Sequence, residues 1–138
     1  MPAVDKVNKL KIDKDCFVER EWLNDYVRTV RTICQQHHVR VVSIRTCNSR
    51  SKGQHFYVEI VPTIDADLAN RLQFLLGDDC RRVDFNRARI ESGLNEWNKL
   101  FERSCIKLRT IYKRSCASKR PYARQSPSLR VSRLMSMP

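Results

Sequence analysis

Ser49-Arg50-Ser51-Lys52-Gly53-Gln54-His55-Phe56-Tyr57-Val58-Glu59-Ile60 runs from a small basic loop into a strict alternation. Phe56, Val58 and Ile60 recur at every second position, with His55, Tyr57 and Glu59 between them. A period of two belongs to a strand with one buried face. The loop before it combines cations with a glycine, so backbone N–H groups and charge can meet a phosphate together.

Working outward, residues 39–46 carry Val39, Val41, Val42 and Ile44, a β-branched run that reads as a second strand. The seven residues 47–53 then form the tip of an antiparallel hairpin. Residues 6–13 alternate Leu10 and Ile12 with Lys9, Lys11 and Asp13, which predicts a first strand. Residues 20–37 place Trp22, Leu23, Tyr26, Val27, Val30, Ile33 and Cys34 at three- and four-residue steps, an amphipathic helix. His37 and His38 fall at its carbonyl end.

Beyond the hairpin, Pro62 is expected to end the strand. Residues 65–76 predict a second helix capped by Gly77, and Asp78-Asp79 opens a third over 80–92, closed by Gly93. The Leu75–Arg87 stretch reads as two helices joined at a glycine. In residues 94–113, Leu94, Trp97, Phe101, Cys105, Leu108 and Ile111 suggest a fourth helix, whose stripe also offers a homodimer interface. The order strand, helix, strand, strand, helix predicts an α+β fold. It is a small antiparallel sheet with a split βαβ (ferredoxin- or RRM-like) core and helices on one face. Residues 1–114 form a single domain, and 115–138 are expected to be a disordered basic tail.

The net charge of +12 is unevenly spread. Residues 105–138 hold nine Lys or Arg and no acid, whereas residues 1–104 hold 18 basic and 15 acidic side chains. Such an appendage points to a polyanion, most simply nucleic acid. No apolar run approaches a membrane span of about 18 residues, so no membrane partner is expected. The six cysteines form no Cys-x-x-Cys pair and no secretory signal opens the chain, so they read as reduced thiols in an intracellular protein.

Strand parity gathers a constellation. If Phe56, Val58, Ile60, Val42, Ile44, Leu10 and Ile12 point inward, then Asp13, Asp15, Arg45, His55 and Tyr57 share the other, open face. Two carboxylates one residue apart on a strand end suit Mg²⁺ or Mn²⁺, which takes oxygen ligands. Arg45 and Tyr57 equally suit phosphate contact and base stacking without chemistry. The Asp13-Lys14-Asp15 and Ser49-to-His55 segments together resemble the archaeo-eukaryotic primase and primase-polymerase superfamily. That superfamily has an Asp-x-Asp after an early strand and a Ser-Gly-x-x-Gly-x-His-like motif before a later one. The resemblance covers residues 6–61, with Arg50 in place of the motif's first glycine. It implies metal ligation by Asp13 and Asp15 and a catalytic, nucleotide-contacting His55.

The leading expectation is a small basic nucleic-acid-binding protein that needs no cofactor. Its contacts would be Arg45, Arg50, Lys52, Gly53, His55, Tyr57, Lys113, Arg114, Lys119 and Arg120. The alternative is a reduced, Mg- or Mn-dependent primase-like nucleotidyltransferase.

Overall fold

A computed structural model describes residues 6–48, 53–100 and 106–115. The order is β1 (Lys6–Lys14), α1 (Arg20–Gln36), β2 (Arg40–Asn48), β3 (Gln54–Asp65), α2 (Ala66–Leu75), α3 (Cys80–Glu91) and β4 (Ile106–Lys113). The strands form one antiparallel sheet in the order β1-β3-β2-β4. β3 lies between β1 and β2, as a split βαβ core requires, so the predicted α+β class is the one observed. α1 packs over β2 and β4, α2 packs over β1 and β3, and α3 packs on α2.

Register explains the core. Leu10 and Ile44 both face Val58, and Ile12 faces Phe56, so these side chains form one row under the helices. Leu23, Val27, Val30 and Cys34 of α1 and Ala69 and Leu72 of α2, with Leu76 just beyond it, close the row from above. Burial pushes the Cys34 thiol up to about 11, so it stays protonated and inert. Tyr26 stands at the seam, its ring centroid 4.5 Å from that of Phe56 and its hydroxyl donating to the Leu76 carbonyl at 2.8 Å. Burial, ahead of the nearby Asp78 charge, raises the phenol and keeps it a donor. Tyr26→Phe is expected to lose about 1–1.5 kcal/mol, because it leaves that carbonyl without its partner. Urea unfolding would measure the loss, and an unchanged midpoint would refute the role.

Several predicted boundaries shift. β3 continues through Pro62, which follows a cis peptide bond, to Asp65. Asp65 caps α2 by accepting from Leu68 N at 2.8 Å, and Asp79 caps α3 by accepting from Arg81 N at 3.1 Å. A bulge between Val41 and Ser43 puts Val41, not Val42, into the core.

The predicted helix over residues 94–113 is a correction. After Gly93 the chain turns, Trp97 enters the core, and β4 adds to the sheet beside β2 with Ile111 and Tyr112 packed against that core; Phe101 and Cys105 lie outside the described residues. Leu94 and Leu108, two members of the supposed stripe, are about half exposed, at 53% and 49%. The helix proposed to carry a homodimer is therefore not formed. Among the described residues no helix is long and apolar enough to cross a membrane.

Candidate nucleic-acid interface

The face of the sheet away from the helices carries cross-strand rows set by register. Lys9, Glu59 and Ser43 form one row, Lys11, Tyr57 and Arg45 a second, and Asp13, His55 and Cys47 a third. The parity expectation for Asp13, Arg45, His55 and Tyr57 thus holds. The expectation of an open face holds only for part of it. Glu59 is exposed and Arg45 and Asp13 are half-buried, but Tyr57 is 7%, His55 3% and Cys47 1% exposed. Buried rings at these positions offer no stacking surface to a base. Cys47 is disulfide-bonded, with its partner outside the described residues, whereas Cys16, Cys34 and Cys80 are free. The expectation of six reduced thiols is corrected accordingly.

His55 Nε2 lies 3.4 Å from Asp13 Oδ1. Thr46 Oγ1 donates to the His55 carbonyl at 2.9 Å, and Gln54, itself buried, donates to Thr46 Oγ1 and accepts from Val18 N. These bonds fix the strand at His55. Asp15 lies past the end of β1 in an exposed bend. Among the described residues no three His, Cys, Asp or Glu side chains gather as a metal site. The Asp13 carboxylate thus faces the imidazole of β3, and Asp15 stands apart from it beyond the strand end.

The Leu75–Arg87 stretch has a mechanical role that its sequence did not announce. β1 is an edge strand, and its outward backbone groups need partners. Lys11 N donates to Gln73 Oε1 at 3.0 Å, and Asp13 N donates to Asp78 Oδ1 at 2.9 Å. Asp79 N donates to the Asp13 carbonyl at 3.1 Å, and Arg82 Nη1 donates to the Lys11 carbonyl at 2.9 Å. Arg82 also holds Asp78 Oδ2 at 2.6 Å, Asn98 Oδ1 at 2.6 Å and the Lys99 carbonyl at 3.0 Å. Gln73 and Asn98 exchange side-chain hydrogen bonds as well. Gly77, at φ +99°, makes the turn between α2 and Asp78, and a Cβ there would meet the Lys14 ammonium. Three side chains and one backbone N–H thus close the sheet edge, and the residues that look like a motif are spent on structure.

β1 carries Lys6, Lys9, Lys11 and Lys14 beside Asp13, whereas the opposite edge carries cations and no acid. β2 and β4 contain Arg40, Arg45, Lys107, Arg109 and Lys113 and not one carboxylate. In β4, Lys107, Arg109 and Lys113 are exposed. Lys113 stands opposite Ser43, Arg109 opposite Thr46, and Arg114 N donates to the Val42 carbonyl at 2.8 Å. At one end of this edge a groove of about 770 Å³ opens between the end of α1, the start of β2, β3 and the end of β4. Its ionisable walls are Arg31, His38, Arg40 and Arg114, all basic, and its apolar part includes Pro62 and Tyr112. Arg31 Cζ lies 4.8 Å from the Tyr112 ring centroid. His37 stays out of it, with Nδ1 2.9 Å from the Ile33 carbonyl, the helix-end role expected of it.

Of the residues singled out in sequence, Arg45, Lys113 and Arg114 fall on this basic edge, and His55, Tyr57 and Gly53 are buried. Arg50, Lys52, Lys119 and Arg120 lie outside the described residues. Arg31, Arg40 and Tyr112 were not singled out. Arg31 and Tyr112 sit 81 positions apart, and the packing of α1 over β2 and β4 brings them together. No protein-family model matches this chain, and no curated protein and no solved structure matches it either.

Proposed function

We propose that the protein is a nucleic-acid-binding module whose contact surface is the β2–β4 edge together with the basic segment that follows it. The observation that carries this reading is the placement of two neighbouring strands with five cations and no carboxylate at the start of the +9 segment. A folded edge holds its cations at fixed positions, so a phosphate backbone meets a preformed basic surface.

A fluorescence titration of the full chain with single- and double-stranded oligonucleotides, repeated between 50 and 200 mM salt, tests it. Binding whose log Kd changes steeply and linearly with log salt is expected. The absence of binding at the lowest salt would remove the reading. A second reading, nucleotidyl transfer of the primase-like kind, draws on one observation, the pairing of Asp13 with His55 across β1 and β3. The same titration with Mn²⁺ and nucleoside triphosphates addresses it. That reading expects nucleotide incorporation which Asp13→Ala abolishes, and a wild-type chain that incorporates nothing ends it.

A further inference from the structure

The groove at the end of the basic edge differs from the rest of that edge in shape and chemistry. Elsewhere the cations stand on a flat strand, where any polyanion can approach. Here they surround a concavity whose floor is partly aromatic and aliphatic. No carboxylate of the described residues pairs with Arg31 or Arg40. Both side chains are exposed. The Arg31 guanidinium lies over the Tyr112 ring, a plate of charge on a plate of carbon. A base can stack on the exposed side of that plate, as bases stack on arginine planes and aromatics in single-strand sites.

We propose that this groove is a docking site for single-stranded nucleic acid. Arg40 holds a phosphate, and the Arg31–Tyr112 stack and Pro62 receive a base. This rests on the nucleic-acid-binding reading above and assigns the strand type and the residues within it. A duplex is the poorer occupant. Its bases are already stacked on one another, and its convex backbone would leave the Pro62 and Tyr112 wall empty. A volume of about 770 Å³ lies within the range of sites that enclose a small ligand, which suits an extruded nucleotide unit better than the ridge of a double helix.

The test uses the full chain and a fluorescent oligo-dT strand, with a duplex of equal length as competitor. In Arg31→Gln/Arg40→Gln the single-strand Kd is expected to weaken about ten- to a hundredfold. The salt slope should become shallower by about 0.7, the share of the one phosphate contact that Arg40 makes on a single strand. Arg31→Lys/Arg40→Lys should keep the slope and recover only part of the affinity, because an ammonium does not stack. Tyr112→Leu, a charge-neutral probe, should weaken binding at unchanged slope. A control pair on the other side of the fold, Arg71→Gln/Arg87→Gln, should change Kd less than threefold. Circular dichroism on each variant establishes that it is folded.

If the groove pair weakens binding no more than the control pair while the wild type binds, the groove is not the site and the broader reading survives. If the duplex competes as well as the single strand and is equally sensitive to the groove pair, the single-strand assignment is overturned. If the wild type binds neither, the nucleic-acid reading itself fails.

Discussion

Replacing Asp78 by asparagine is expected to cost about 3–5 kcal/mol of folding stability, although the two side chains have the same shape. The reason is the direction of every hydrogen bond at the site. Asp78 Oδ1 accepts from Asp13 N and Asp79 N, and Oδ2 accepts from Arg82 Nη1 and Gln73 Nε2. A carboxylate meets four donors with acceptors alone. An amide has to turn its NH₂ toward one pair of donors, and N–H then faces N–H in a buried place. Arg82 is left with an unmatched charge, 9% exposed.

The attraction between Asp78 and Arg82 is not where the stability originates. Burial raises the Asp78 carboxyl against the opposing pull of Arg82 and of the N–H groups of Asp13 and Asp79. A buried pair of this kind roughly balances its desolvation. What the pair contributes is closure of the β1 edge through Lys11 and Asp13. Asp78→Leu/Arg82→Met therefore does not restore stability, because the Lys11 carbonyl, the Asp13 N–H and the Lys99 carbonyl all lose partners. Thermal unfolding is expected to show a melting point lower by about 12 °C or more for either variant, given about 4–8 °C per kcal/mol in a domain of this size. A double variant as stable as the wild type would mean that the network is an ordinary ion pair and nothing more.

That network also marks where sequence reading stops. β3 was legible because Phe56, Val58 and Ile60 alternate without interruption and all three are fully buried. In β1, Leu10 and Ile12 were placed for the same reason. Parity failed in β2 only where a bulge inserts one residue, and nothing in Val41-Val42-Ser43 signals a bulge. The stripe of residues 94–113 was misread because apolar residues at three- and four-residue steps also occur by chance across a turn and a strand. The β-branched run of β4, with Thr110 and Ile111, was the counter-signal. The Asp78–Arg82 spacing of four was visible, but Gln73, Asn98 and the β1 backbone are brought to it only by the packing of α2 on the sheet. The burial of His55 and Tyr57 was likewise invisible, since parity gives the side of a sheet and not what covers it.

Removal of residues 117–138, a cut that keeps Cys116, is expected to flatten the salt dependence of nucleic-acid binding more than any substitution in the folded body. The segment contains five cations, Lys119, Arg120, Arg124, Arg130 and Arg133, and no acid. If each neutralises one phosphate, the log–log slope falls by about 3.5 on a single strand and about 4.5 on a duplex. Over a fourfold change in salt that amounts to a difference of about a hundredfold or more in Kd. Every described element ends before the cut, so the folded body should melt as the full chain does. The sheet edge retains Arg40, Arg45, Lys107, Arg109 and Lys113 after truncation. Weaker binding with a residual, shallower slope is therefore expected, and what remains should still depend on Arg31 and Arg40. On the proposed reading the two parts act differently: the terminal cations supply affinity that any polyanion can claim, and the edge with its groove supplies the preference for one kind of strand. A truncated chain with an unchanged slope would place the whole of the binding on the β2–β4 edge. One that binds nothing would leave the edge without a role of its own.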